Sequence, residues 1–97
     1  MASLSLSPKA MEDLERLGEF LLQNQVQNAT RLHATILDAI AILENHPRIG
    51  RKVGADLREL VISQGRSGYL ALYRYDEEFD VVRLLRVRHQ REAGYRD

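Results

Sequence analysis

The chain has 97 residues, 44% hydrophobic and 29% charged, with no cysteine and a formal net charge of zero at pH 7. Such a chain forms one domain, here residues 1–97, around one modest core; the composition excludes disorder, a disulfide scaffold and a cysteine nucleophile. No run approaches the roughly 18 apolar residues of a membrane span, MASLSLSPKA lacks a basic stretch followed by an apolar block, and a cytoplasmic protein without a membrane partner is expected.

In chain order, ASLSLS (2–7) alternates small polar and apolar residues and predicts a first strand. Ser7-Pro8 then starts a helix over about 8–23, because Ser7 can cap it and Pro8 loses no needed N–H at the first helical position. Glu12 and Asp13 follow, placed as the helix dipole favours. Met11, Leu14, Leu17, Phe20 and Leu21 form its apolar stripe. After QNQ (23–25), a second helix is expected over roughly 26–45, with Ala29, Leu32, Ile36, Ile40 and Leu43 as its stripe. Leu37, Ala39 and Ile42 widen that face, enough to bury it against both a partner helix and a sheet. His46-Pro47 ends it.

RIGRKVGAD (48–56) reads as a basic, glycine-punctuated loop. LRELVI (57–62), YLALYRY (69–75) and DVVRLLRVRH (80–89) read as strands, joined by the flexible loop SQGRSG (63–68) and the tight acidic turn DEEF (76–79). The fold class is therefore α+β, in the order β-α-α-β-β-β. An N-terminal αα-hairpin packs on one face of a mainly antiparallel four-stranded sheet, with the last strand central.

No phosphate-binding glycine loop, dinucleotide fingerprint or HExxH motif is present. His33, His46 and His89 lack ligand spacing, so neither metal nor cofactor is expected; His33 and His46 read as structural. Charge is segregated: residues 1–30 hold Lys9 and Arg16 against Glu12, Asp13, Glu15 and Glu19, whereas 81–91 hold Arg83, Arg86, Arg88 and Arg91 and no acid. Strict alternation points Val81, Arg83, Leu85, Val87 and His89 one way and Val82, Leu84, Arg86 and Arg88 the other. Arg86 and Arg88 should then emerge together on the side away from the helices, near His89 and Arg91. Arg74 would approach from the next strand, Arg66 from the loop, and Tyr95 or Tyr69 could stack a base. His89 could move a proton near neutral pH. The alternative is that these arginines pair with Glu59, Asp76 or Glu92 and lie over apolar surface.

The run LRELVI followed by GYLALYRYDEEFDVVRLLRVRHQREAGY resembles the RelE/ParE superfamily of bacterial toxins from type II toxin–antitoxin modules. SPKAMEDLERL is similar to that family's first helix and ENHPRIGRKV to the loop after its second. The resemblance covers nearly the whole chain and is most specific in LYRY paired with V-x-x-L-x-V-x-H-x-R. It implies a toxin neutralised by a cognate antitoxin, with operator DNA bound only through the antitoxin. Leu14, Leu17, Leu21, Leu32 and Ile36 would help dock that antitoxin.

The resemblance also implies two possible targets. RelE-like members cut ribosome-bound mRNA without metal, using basic residues and a tyrosine; ParE-like members poison DNA gyrase. Leu70, in GYLALY, stands where nuclease members commonly carry arginine, and SQGRSG offers only Arg66 upstream. Against this, His89, Arg91 and Tyr95 keep the nuclease-like spacing H-x-R-x-x-x-Y. A cation beside the scissile phosphate is the heavier requirement, so gyrase inhibition is expected ahead of mRNA cleavage. Under the first, Arg86, Arg88, His89 and Arg91 would touch gyrase or its DNA. Under the second, His89 or Tyr95 would be catalytic, with Arg66, Arg74 and Arg86 holding phosphate. A relic retaining only antitoxin binding is the third reading.

Overall fold

The computed structural model describes residues 1–24, 29–64 and 67–92, apart from a few side chains within those ranges, that of Leu32 among them. Ser7 is the joint between β1 (Ser3–Leu6) and α1 (Pro8–Gln23). Its side-chain oxygen accepts the Ala10 N–H at 3.0 Å, and its hydroxyl donates to the Leu85 carbonyl at 2.8 Å. One residue therefore caps the helix and ties its start to the last strand. α2 (Ala29–Ala41) tightens into a 3-10 turn, Ile42–Glu44, where the sequence predicts α-helix as far as 45. The coming Pro47 disfavours further helical backbone, and the Asn45 N–H bonds back to the Ile42 carbonyl at 3.1 Å.

The remaining strands are β2 (Arg51–Lys52), β3 (Arg58–Gln64), β4 (Ser67–Asp76) and β5 (Val81–His89). Their order is β1-β5-β4-β3-β2, with β1 parallel to β5 and the other pairs antiparallel. The expected strands are all present, and the basic loop adds β2 as a short fifth. β4 rather than β5 is central. The strands also run into SQGRSG: its described residues, Ser63, Gln64, Ser67 and Gly68, are paired strand, where loop is expected.

Both helices cover one face. Ala10, Leu14, Leu17, Ile36, Ile40 and Leu43 meet Ile62, Tyr69, Ala71, Tyr73, Val82, Leu84 and Val87 of the sheet. Along β4 the pleat sends Tyr69, Ala71 and Tyr73 into this core and leaves Leu70, Leu72 and Arg74 on the far face. Tyr73 is wholly buried, and its hydroxyl accepts the Gly50 N–H at 2.8 Å. A Cβ at position 50 would lie 2.6 Å from the Tyr73 ring, so glycine is what lets the backbone come this close.

β5 departs from strict alternation. Tyr73 pairs with Leu84 but Leu72 with Arg86, so Leu85 is an extra residue, a β-bulge. The bulge resets the phase: Val82, Leu84 and then Val87 all enter the core. The expectation that Val87 shares a face with Arg83 is corrected accordingly.

Candidate functional site

β1 stops at Leu6, beside Leu84, while β5 continues to His89. Past that point β5 has a bare edge, and α1 covers it. The Asp13 carboxylate accepts the Val87 N–H at 2.9 Å and the Arg86 Nε–H at 2.9 Å, with a second guanidinium bond at 3.3 Å. Asp13 is only 4% exposed and the Arg86 side chain 13%. Arg86 thus does not emerge with Arg88 away from the helices; it turns around the edge to a buried carboxylate. Asp13 carries a role the sequence reading missed, since α1 has no acid in its first turn and Asp13 serves a strand instead. Arg16 extends the connection, donating to Glu92 at 2.8 and 3.3 Å.

His89 stands opposite Tyr69 in the ladder, the rings edge-to-face at 5.1 Å between centroids. Its Nδ1 accepts the Arg91 backbone N–H at 3.1 Å, which places the neutral ring's proton on Nε2. Tyr69 is buried, and burial pushes its hydroxyl above the ordinary value of 10.0. Arg88 donates to the Glu92 carbonyl at 2.7 Å and lies 3.4 Å from the His89 and Gln90 carbonyls. It gathers the chain as it leaves the sheet. Its ladder partner is Leu70, 6% exposed. Arg91 is exposed.

Arg74 is not part of this group. It pairs with Arg83, five residues along β4 from Tyr69, or about 17 Å. Arg66 and Tyr95 lie outside the described residues. Among the expected antitoxin contacts, Leu14, Leu17, Leu21 and Ile36 are no more than 6% exposed. In the free chain they are buried, Leu14, Leu17 and Ile36 within the core shared with the sheet; the side chain of Leu32 is outside the description. The apolar side chains that α1 and α2 leave outside include Met11, Phe20, Leu22 and Leu37.

His33 has the structural place expected of it: Nε2 donates to the Leu14 carbonyl at 3.0 Å, against the space left by Gly18. Among the described residues no group of three or more His, Asp or Glu side chains is arranged to hold a metal ion. No described helix is long and apolar enough to cross a membrane.

Two helices on one face of a sheet whose first strand runs parallel to its last define a RelE/ParE-superfamily toxin, and the comparisons agree. The family model described as "ParE toxin of type II toxin-antitoxin system, parDE" matches residues 4–94. The chain belongs to that family. It is 36% identical over 92 residues to a curated Caulobacter vibrioides protein, Toxin RelE3, covering 95% of this chain and 98% of that one. The fold is also that of a chain in the chromosomal ParDE system of P. aeruginosa, with a TM-score of 0.72 at 20% identity over 92% of this chain and 96% of the other. A chain of the E. coli RelBE toxin–antitoxin complex gives 0.66 at 19% identity, over 90% and 94%.

Proposed function

We propose that this toxin inhibits DNA gyrase through protein contacts, without chemistry of its own, and that a cognate antitoxin neutralises it. The observation that supports this reading is the internal commitment of two of the three arginines around His89, Arg91 being the exposed one. Arg86 is held by buried Asp13, and Arg88 by the carbonyls of the departing chain. Phosphodiester cleavage needs cationic donors aimed at the charge developing on phosphate. Releasing Arg86 for that task would leave the buried Asp13 carboxylate without its nearest cation. Leu70 supplies no substitute.

The nuclease reading keeps one observation of its own, the adjacency of His89 and Tyr69. Relatives named for both branches occur among the matches, so names do not divide the two. The antitoxin would cover the outward apolar side chains Met11, Phe20, Leu22 and Leu37, which water otherwise meets.

Induction of the toxin in cells, with DNA breaks and mRNA 5′ ends mapped together, tests the reading. Double-strand breaks and an SOS response with uncut mRNA are expected, and His89→Ala should remain toxic. Cleavage confined to ribosomal A-site codons, abolished by His89→Ala, would overturn it.

A further inference from the structure

The end of the sheet opposite His89 holds a second arginine cluster, of which only Arg74 figures in the nuclease expectation, and there as a neighbour of His89. There the start of β3, the end of β4 and the start of β5 surround an open cleft of ≈450 Å³. Five cations line it, Arg48, Lys52, Arg58, Arg74 and Arg83, against three carboxylates. Two of the cations are spoken for. Arg48 bonds Glu77 at 2.6 Å and lies over the Tyr75 ring, 5.1 Å from its centroid. Arg58 donates to the Arg48 and Gly50 carbonyls at 3.0 and 2.8 Å, which shapes the wall formed by the basic loop.

The other three are differently placed. Arg74 and Arg83 are direct ladder partners on adjacent antiparallel strands, where like charges repel at short range. Arg83 has Asp76 at 3.5 Å; among the described residues Arg74 and Lys52 have no ion pair. Both Arg74 and Lys52 are exposed. Asp76 relieves this pair on the Arg83 side only, and an anion between the two guanidinium groups would remove the repulsion that remains. Planar guanidinium forks match phosphate oxygens two at a time. The cleft is open to solvent along one side.

We infer that this cleft is a nucleic-acid contact site, in which Arg74, Arg83 and Lys52 grip backbone phosphates. The assignment is independent of which target the toxin attacks. It places backbone contact about 17 Å from His89, the length of the five β4 steps between the Tyr69–His89 and Arg74–Arg83 rungs. The contacts are to phosphate, so they carry no sequence preference.

The test is fluorescence anisotropy of the purified full chain with a short labelled single-stranded DNA of mixed sequence, over a range of salt. Arg74→Gln with Arg83→Gln should weaken binding about tenfold or more and lower the salt slope by about two. Arg31→Gln, on the exposed surface of α2, should change neither. Thermal melts separate folding from binding: Arg74→Gln alone should melt no lower than wild type, since it relieves the ladder repulsion. Absence of binding at low salt, or equal binding by the double variant, overturns the inference. So does polyglutamate competing as well as DNA, which would mark a carboxylate surface. ATP competing as well as DNA, mole for mole of phosphate, would also overturn it by marking a free-nucleotide site.

Discussion

At the scale of single residues, Asp13 does the most for its size. It answers an edge N–H and a nearly buried guanidinium together, so its loss leaves the N–H unanswered and takes a buried counter-charge from Arg86. Asp13→Ala should cost about 3–5 kcal/mol, read by chemical denaturation, and Asp13→Asn less, since an amide oxygen can still accept the Val87 N–H. The sequence placed Asp13 correctly on α1 but could not reveal its partner, which lies 74 positions away in Val87. Arg86 was misplaced for the same reason: a period-two reading has no means of anticipating the bulge at Leu85. Tyr73 and Tyr69 carry a pH dependence. Burial raises both hydroxyls above their ordinary value of 10.0, so the folded state keeps protons that the unfolded chain releases. Their contribution is complete below about pH 10 and is lost as pH rises through the raised values. Tyr73→Phe should therefore flatten the alkaline limb of the stability–pH curve, leaving the share due to Tyr69.

Among elements, those that announce themselves locally were the legible ones. Ser7-Pro8 marks the α1 start and Pro47 the end of the second helical stretch, and both stand in the structure. β2 was read as loop because two residues carry no periodicity. The place of β5 second in the sheet, with β4 central, depends on the β1 pairing, and no local pattern encodes that. The candidate site divides likewise. The sequence showed which residues were cationic, but not that Arg86 and Arg88 serve the fold while Arg74 lies at the other end. Glu92 joins the end of β5 to α1 through Arg16, in a pair whose side chains are 22% and 29% exposed. Glu92→Gln should cost no more than about 1 kcal/mol globally, because water screens the pair. It should instead speed amide hydrogen exchange at Arg88 to Gln90, while Tyr73 and Val82 in the core remain protected. Uniform acceleration across the sheet would sink the idea of a local fastening.

For the whole molecule, zero net charge conceals two ends of different character. One end of the sheet holds His89, with Arg86 and Arg88 engaged in the fold and Arg91 exposed; the other holds the open cationic cleft. The outer surfaces of α1 and α2 add apolar side chains, Phe20 at 56% exposure among them. If the antitoxin covers them, Phe20→Ser should change folding stability by less than about 0.5 kcal/mol. It should weaken antitoxin capture about tenfold in a titration of the purified pair, and unchanged affinity would move the docking surface elsewhere.

The pairing of Ser3–Leu6 with Val81–Leu84 also sets the order in which the molecule can be built. Ser3 and Val81 stand 78 positions apart, so this pairing closes a long loop of chain and is slow beside the local contacts that form a helix. The helices can form beforehand from local signals, but they have no finished sheet to lie on until the two distant segments meet. The parallel seam is therefore among the last parts of the molecule to close in folding.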